Sequence, residues 1–202
     1  IGTGGTVTMN KLSSTQANAI TAQNNVTTLV TTLSDSSGTA DSVSVTIDDV
    51  DTTASAITVG AITAAGVETL NLVSGDTGVT HVVSALTSST ALKTINVSGT
   101  SNLTITDMTA AASGATVNAS DFSKNLIVGI GAGDKVIAGS GDDGVSTAFA
   151  NLSNTLQFTG GAGDDTFVAL IDDNTPANNT LDTLDVLDGG AGTDTLSITA
   201  DT

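Results

Sequence analysis

The residues best suited to chemistry in this sequence are glycines and aspartates in a fixed order. Gly160, Gly161, Gly163 and Asp165 lead to the apolar Phe167, and Gly189, Gly190, Gly192 and Asp194 lead with the same spacing to Leu196. That pattern suits the binding of a hard cation. Ca²⁺ takes about six to eight oxygens from carboxylates, backbone carbonyls and water. A tight turn can aim several carbonyls inward only where its residues tolerate unusual φ, which glycine provides. The aspartate adds negative charge, and the apolar residue two places on points into a core and anchors the turn on a strand.

Two weaker copies precede these. "GAGDKVIA" keeps Gly131, Gly133 and Ile137 but has Lys135 where the aspartate belongs, with Asp134 as a substitute. "GSGDDGVS" keeps Gly139, Gly141, Asp143 and Val145. Asp142, Asp164 and Asp188 lie beside these turns and join the candidate ligands; Asp182 and Asp185 lead into the last copy and suit either a ligand or a solvated-loop role. The glycines Gly133, Gly141, Gly163 and Gly192 are unevenly spaced, unlike a tandem nonapeptide array. The turns are therefore expected to stack at one corner of larger coils, with each ion shared between neighbouring rungs, because one turn supplies too few oxygens.

The elements that must hold such turns are short strands. From Asp41 onward, runs such as "DSVSVTI", "VETLNLV", "LKTINVSG", "SNLTITD" and "DTFVALI" alternate in period two between Gly, Ser and Asp punctuation. The apolar residues are mostly small or β-branched and aromatics are only 2%, which suits pleated surfaces. Asp-Gly hairpin signatures are few, Asp143-Gly144 and Asp188-Gly189, and Asn-Gly is absent, so coils are favoured over hairpins. The fold expected is all-β, a right-handed parallel β-solenoid. Three sections are expected: 1–40, irregular with a short helix from about Ser14 and a strand near Val26 to Leu33; 41–128, Thr/Val-rich coils; and 129–202, coils with calcium turns.

Composition excludes several roles. A chain of 202 residues with 39% hydrophobic residues has enough apolar surface for a core. With 21 acidic against 4 basic residues and a net charge of −17, nucleic acid and anionic membranes are repelled and cations are favoured. The only glutamate is Glu68, and aspartate in such excess belongs to turns. Cysteine is absent, which removes disulfides and thiolate metal sites. No apolar run is long enough to cross a membrane as a helix. Opening on Ile1 without a leader, the chain reads as a segment cut from something longer.

The glycine-aspartate turns resemble the calcium-binding repeats of RTX proteins. The arrangement as a whole is similar to the RTX-type surface-layer proteins of Gram-negative bacteria. Beyond the turns, "AITVGAITAAGVETLNLVSGD", "STALKTINVSGTSNLTITD" and "GATVNASDFSKNLIVGIGAGDKVIAGSGDD" resemble that family's Thr/Ala/Val-rich coils. The resemblance implies a secreted, non-enzymatic structural segment that binds Ca²⁺ and self-assembles into a lattice on the cell surface, anchored to polysaccharide through another part of the parent chain. Two other readings share the turns: a calcium-dependent folding and secretion module of an RTX enzyme or toxin, and a repeat of a surface adhesin.

Other motifs weigh less. Asp76-Thr77-Gly78 echoes the aspartic-protease triplet, which needs a second carboxylate-bearing copy to share a proton; none exists. Gly139-Ser140-Gly141-Asp142-Asp143-Gly144 satisfies a dinucleotide fingerprint in form, but its carboxylates would repel a pyrophosphate. His81, the only histidine, is read as a strand-face residue without partners for zinc or base chemistry.

Overall fold

A computed structural model describes the chain except for residues 1–3, 50–52, 88–90, 109–113, 132, 147–154, 173–178, 182 and 202. The architecture is a parallel β-solenoid built on three sheets. An eight-stranded sheet runs through Ile20–Ala22, Ser42–Ile47, Thr69–Ser74, Thr94–Gly99, Thr116–Asn118, Lys135–Ile137, Gln157–Ala162 and Val186–Ala191. A seven-stranded sheet runs through Thr58–Val59, Thr80–Val83, Asn102–Ile105, Leu126–Gly129, Gly144–Ser146, Thr166–Asp172 and Thr195–Asp201. A four-stranded sheet runs, among the described residues, through Thr6–Leu12, Thr28–Leu33, Ile62–Ala64 and Leu86–Thr87.

Alternation explains why these runs are strands with a single register. In Ser42–Ile47, Val43, Val45 and Ile47 are buried while Ser42, Ser44 and Thr46 are partly exposed. A slip of one residue would bring the polar set into the core. The inward positions then stack on like residues of the next coil: Val43 on Leu70, Leu70 on Ile95, Ile95 on Val117, Val117 on Val136 and Val136 on Phe158. In the other long sheet the equivalent column is Val59, Val83, Ile105, Val128, Val145, Phe167 and Leu196. Each fully buried side chain of this size contributes about 1.5–3 kcal/mol. Phe158 and Phe167 meet across the core with ring centroids 6.1 Å apart.

Outward positions form polar ladders. Asn96 Nδ2 donates to Asn71 Oδ1 at 2.9 Å, and Asn71 Nδ2 donates to Ser44 Oγ at 3.1 Å, so successive coils are tied outside as well as inside. The first forty residues hold three strands, and the helix is a single turn, Ser14–Ala17, closed by a capping box between Ser13 and Gln16. Its Ala17 is part of the core.

Candidate metal centre

The column two residues ahead of Val59, Val83, Ile105, Val128, Val145, Phe167 and Leu196 changes character along the solenoid. It reads Ile57, His81, Leu103, Leu126, Asp143, Asp165 and Asp194. Each of its aspartates reaches back to the preceding coil. Asp143 Oδ1 accepts the Leu126 N–H at 2.7 Å, Asp165 Oδ1 accepts the Asp143 N–H at 2.8 Å, and Asp194 Oδ1 accepts the Asp165 N–H at 3.1 Å. One residue earlier, an outer ladder runs the opposite way. Asn102 accepts from the Asn125 N–H at 3.1 Å, Asn125 from Asp142 at 3.1 Å, Asp142 from Asp164 at 3.0 Å, and Asp164 from Thr193 at 2.8 Å.

The glycine turns stack at the same corner. Gly161 pairs with Gly190 and Ala162 with Ala191, the Ala162 N–H donates to Gly139 O at 2.9 Å, and the Gly163 N–H donates to Ala191 O at 2.9 Å. Gly163 has φ +123°, and a Cβ there would run into the Gly141 carbonyl, so both the backbone conformation and the close approach require glycine. Gly192 stands in the same relation to Gly163. The structure therefore brings together Gly139, Gly141, Gly161, Gly163, Gly190 and Gly192 with Asp142, Asp143, Asp164, Asp165 and Asp194.

It does not bring Gly131, Gly133 and Asp134 there. Asp134 precedes Lys135–Ile137 in the eight-stranded sheet, at a different corner. Both its oxygens are engaged, Oδ1 by the Ala115 N–H at 3.0 Å and Oδ2 by the Gly131 N–H at 2.8 Å. The resemblance of "GAGDKVIA" to the nonapeptide is local, because which corner a turn occupies depends on the coil's length. Asp188 is also apart. It pairs in register with Thr159 and is exposed, while its neighbour Leu187 faces the core. Asp182 lies outside the described residues.

Electrostatics at the shared corner are unfavourable to ionised carboxylates. Burial pushes the Asp143 carboxyl up to about 6, aided by the charges of Asp165 and Asp142 and opposed by the N–H groups of Leu126 and Gly139. Asp165 is raised first by burial and then by Asp194, Asp142 and Asp164. Asp134, at its separate corner, is raised by burial alone against three backbone N–H bonds.

Asp143 uses both oxygens, Oδ2 accepting from the Gly139 N–H at 3.1 Å. Asp165 does not: it is 1% exposed, and its Oδ2 is buried without a donor. A Cβ on Gly160 would meet both this oxygen and the Gly189 carbonyl oxygen. Glycine thus leaves a carboxylate oxygen and a carbonyl oxygen facing one small space, and two acceptors so placed are relieved by a cation or a proton. An all-oxygen donor set suits a hard cation such as Ca²⁺. No three acidic or imidazole side chains converge among the described residues, so backbone carbonyls and water must provide much of any coordination.

Sequence reasoning missed two things here. His81 occupies the aspartate column inside the core, and Glu68, Asp134 and Asp185 act as clamps at the eight-stranded sheet. Glu68 Oε2 accepts the Asp41 N–H at 2.9 Å and Asp185 Oδ1 accepts the Leu156 N–H at 2.8 Å. The available signal was an acid one residue ahead of a strand, as in Glu68-Thr69 and Asp134-Lys135. No protein-family model, curated protein or solved structure matches the chain.

Proposed function

We propose that this chain is a non-enzymatic, calcium-binding structural segment of a secreted surface-layer protein, self-associating into a lattice on the cell surface. The observation that carries the calcium reading is Asp165 Oδ2, buried without a donor beside the Gly189 carbonyl at the junction of the two complete glycine-aspartate turns. Ca²⁺ held there by Asp165, the Gly189 carbonyl, other turn carbonyls and water would supply the positive charge that the corner lacks.

The chain's own residues do the rest. The inner aspartates fix the spacing of the coils through their backbone bonds, and the glycines let the turns approach closely enough to share oxygens. Phe158, Phe167 and Leu187 hold those turns on the core. Left to themselves, the ionised carboxylates of Asp143, Asp165 and Asp194 repel one another, so the last coils loosen when no cation is supplied. Extracellular calcium modules bind at about 10⁻⁴–10⁻³ M, a range that links folding to export. The surface-layer part of the reading is supported by the resemblance of the coils and turns to that family.

The test is a calcium titration of the chain from EGTA, followed by circular dichroism and light scattering. The expected result is a gain of β signal at sub-millimolar to millimolar Ca²⁺, unmatched by Mg²⁺, with growth of ordered particles. A gain of structure without growth would reject lattice formation by this segment and favour an RTX folding module. No response in either signal would reject calcium binding.

A further inference from the structure

His81 stands in the column of the nonapeptide aspartates and makes their bond. It is 0% exposed, and its Nδ1 accepts the Ile57 N–H at 3.0 Å, as Asp143 accepts from Leu126 and Asp165 from Asp143. Because Nδ1 faces a donor, the neutral ring carries its proton on Nε2. That nitrogen lies 3.4 Å from Asp76 Oδ2 without forming a hydrogen bond. A metal at Nε2 would need the proton moved to Nδ1, against the Ile57 N–H, so the ring's tautomer argues against ligation.

Asp76 completes the arrangement. Its Oδ2 accepts the Asp49 N–H at 2.8 Å, its backbone adopts φ +58°, and its carbonyl receives the Thr100 hydroxyl from the following coil. The side chains of one coil, Asp76 and His81, thereby hold both ends of the preceding coil's segment 49–57. The acidic side of this corner faces an imidazole N–H. At the C-terminal corner, the corresponding carboxylates face one another.

We infer that His81 and Asp76 together form a metal-free clasp, His81 holding the Ile57 N–H and Asp76 the Asp49 N–H with an imidazole and not a second carboxylate beside Asp76, so that the early coils stay clamped in the absence of calcium. The contrast with the late coils rests on the calcium reading; the clasp itself does not.

The experiment is amide hydrogen exchange on the full chain, in EGTA and in millimolar Ca²⁺, read at Ile57 and Asp49 and at Asp143 and Asp165. The wild-type chain is expected to protect Ile57 and Asp49 equally in both conditions, while Asp143 and Asp165 gain protection with Ca²⁺. His81→Ala should lower Ile57 protection about tenfold, the loss of one buried hydrogen bond, in both conditions. His81→Asn restores a short carbonyl acceptor of the length Asp143 uses, and should recover that protection. Asp76→Asn keeps an acceptor for the Asp49 N–H and should leave the chain folded. Ile57 protection that rises with Ca²⁺ as Asp165 protection does, or that survives His81→Ala, would overturn the clasp. A flat response at Asp165 with His81-dependent protection at Ile57 would overturn the calcium reading and support the clasp.

Discussion

Asp194 Oδ1 accepts the backbone N–H of Asp165 at 3.1 Å across a sequence separation of 29 residues. The same bond joins Asp165 to Asp143 across 22 residues and Asp143 to Leu126 across 17. Coils of different length thus meet in one repeated side-chain-to-backbone bond. Stacking at this corner is set by the bond and its register, while the intervening chain varies.

The metal-free chain should become more stable on mild acidification. Asp143, raised to about 6, and Asp165 and Asp134, also raised, hold their protons more tightly folded than unfolded. The contribution of Asp143 is complete below its unfolded value near 3.8 and is lost as pH rises through its folded value near 6; those of Asp165 and Asp134 have the same sign and are lost as pH rises through their raised folded values. Thermal unfolding in EGTA should show a higher Tm at pH 4.5 than at pH 7, reflecting a stability gain on the order of 1–3 kcal/mol. A Tm that falls across that interval would contradict the burial of these groups.

Asp165→Asn should separate charge from shape. The amide carbonyl can still accept the Asp143 N–H, while one of the repelling charges is removed. Calorimetry should find the EGTA form at least as stable as the wild type, and the calcium midpoint raised about tenfold or more.

Asp134→Asn should lack that signature. Both oxygens of Asp134 are bonded to backbone N–H groups at another corner, so the cost should be about 1–3 kcal/mol and the same in EGTA and Ca²⁺. A selective loss of the calcium response would show that the two corners are coupled.

Two glycines with positive φ should respond differently to alanine. At Gly78, φ +81°, nothing lies within 4 Å of an added Cβ, and Gly78→Ala should cost only backbone strain, about 1–2 kcal/mol. At Gly163 the added methyl also meets the Gly141 carbonyl, and the cost should be about 3 kcal/mol or more. Urea denaturation of the two variants gives the comparison.

Much of this fold is legible because its inner and outer residues alternate so strictly. Runs such as Ser42–Ile47 and Thr94–Gly99 permit one register, and the shortage of hairpin turns pointed to coils. The complete glycine-aspartate copies were legible for a related reason, since Gly163 and Gly192 meet a steric demand that only glycine satisfies. Asp134 misled because "GAGDKVIA" satisfies the local spacing, whereas corner assignment depends on how many residues each coil uses. His81 is on a strand face as its sequence context suggested, but its inward column and its Asp76 and Ile57 partners depend on neighbours 5 to 24 positions away. The clamping by Glu68 and Asp185 is likewise a property of stacked coils, invisible within one.

Each strand of the two long sheets pairs only with the coil before it and the coil after it. The molecule is therefore mechanically a zipper, in which a pull along the stack loads one pair of coils at a time and not the whole body. Force spectroscopy should find a series of small unfolding events, each releasing about one coil, in place of a single large rupture.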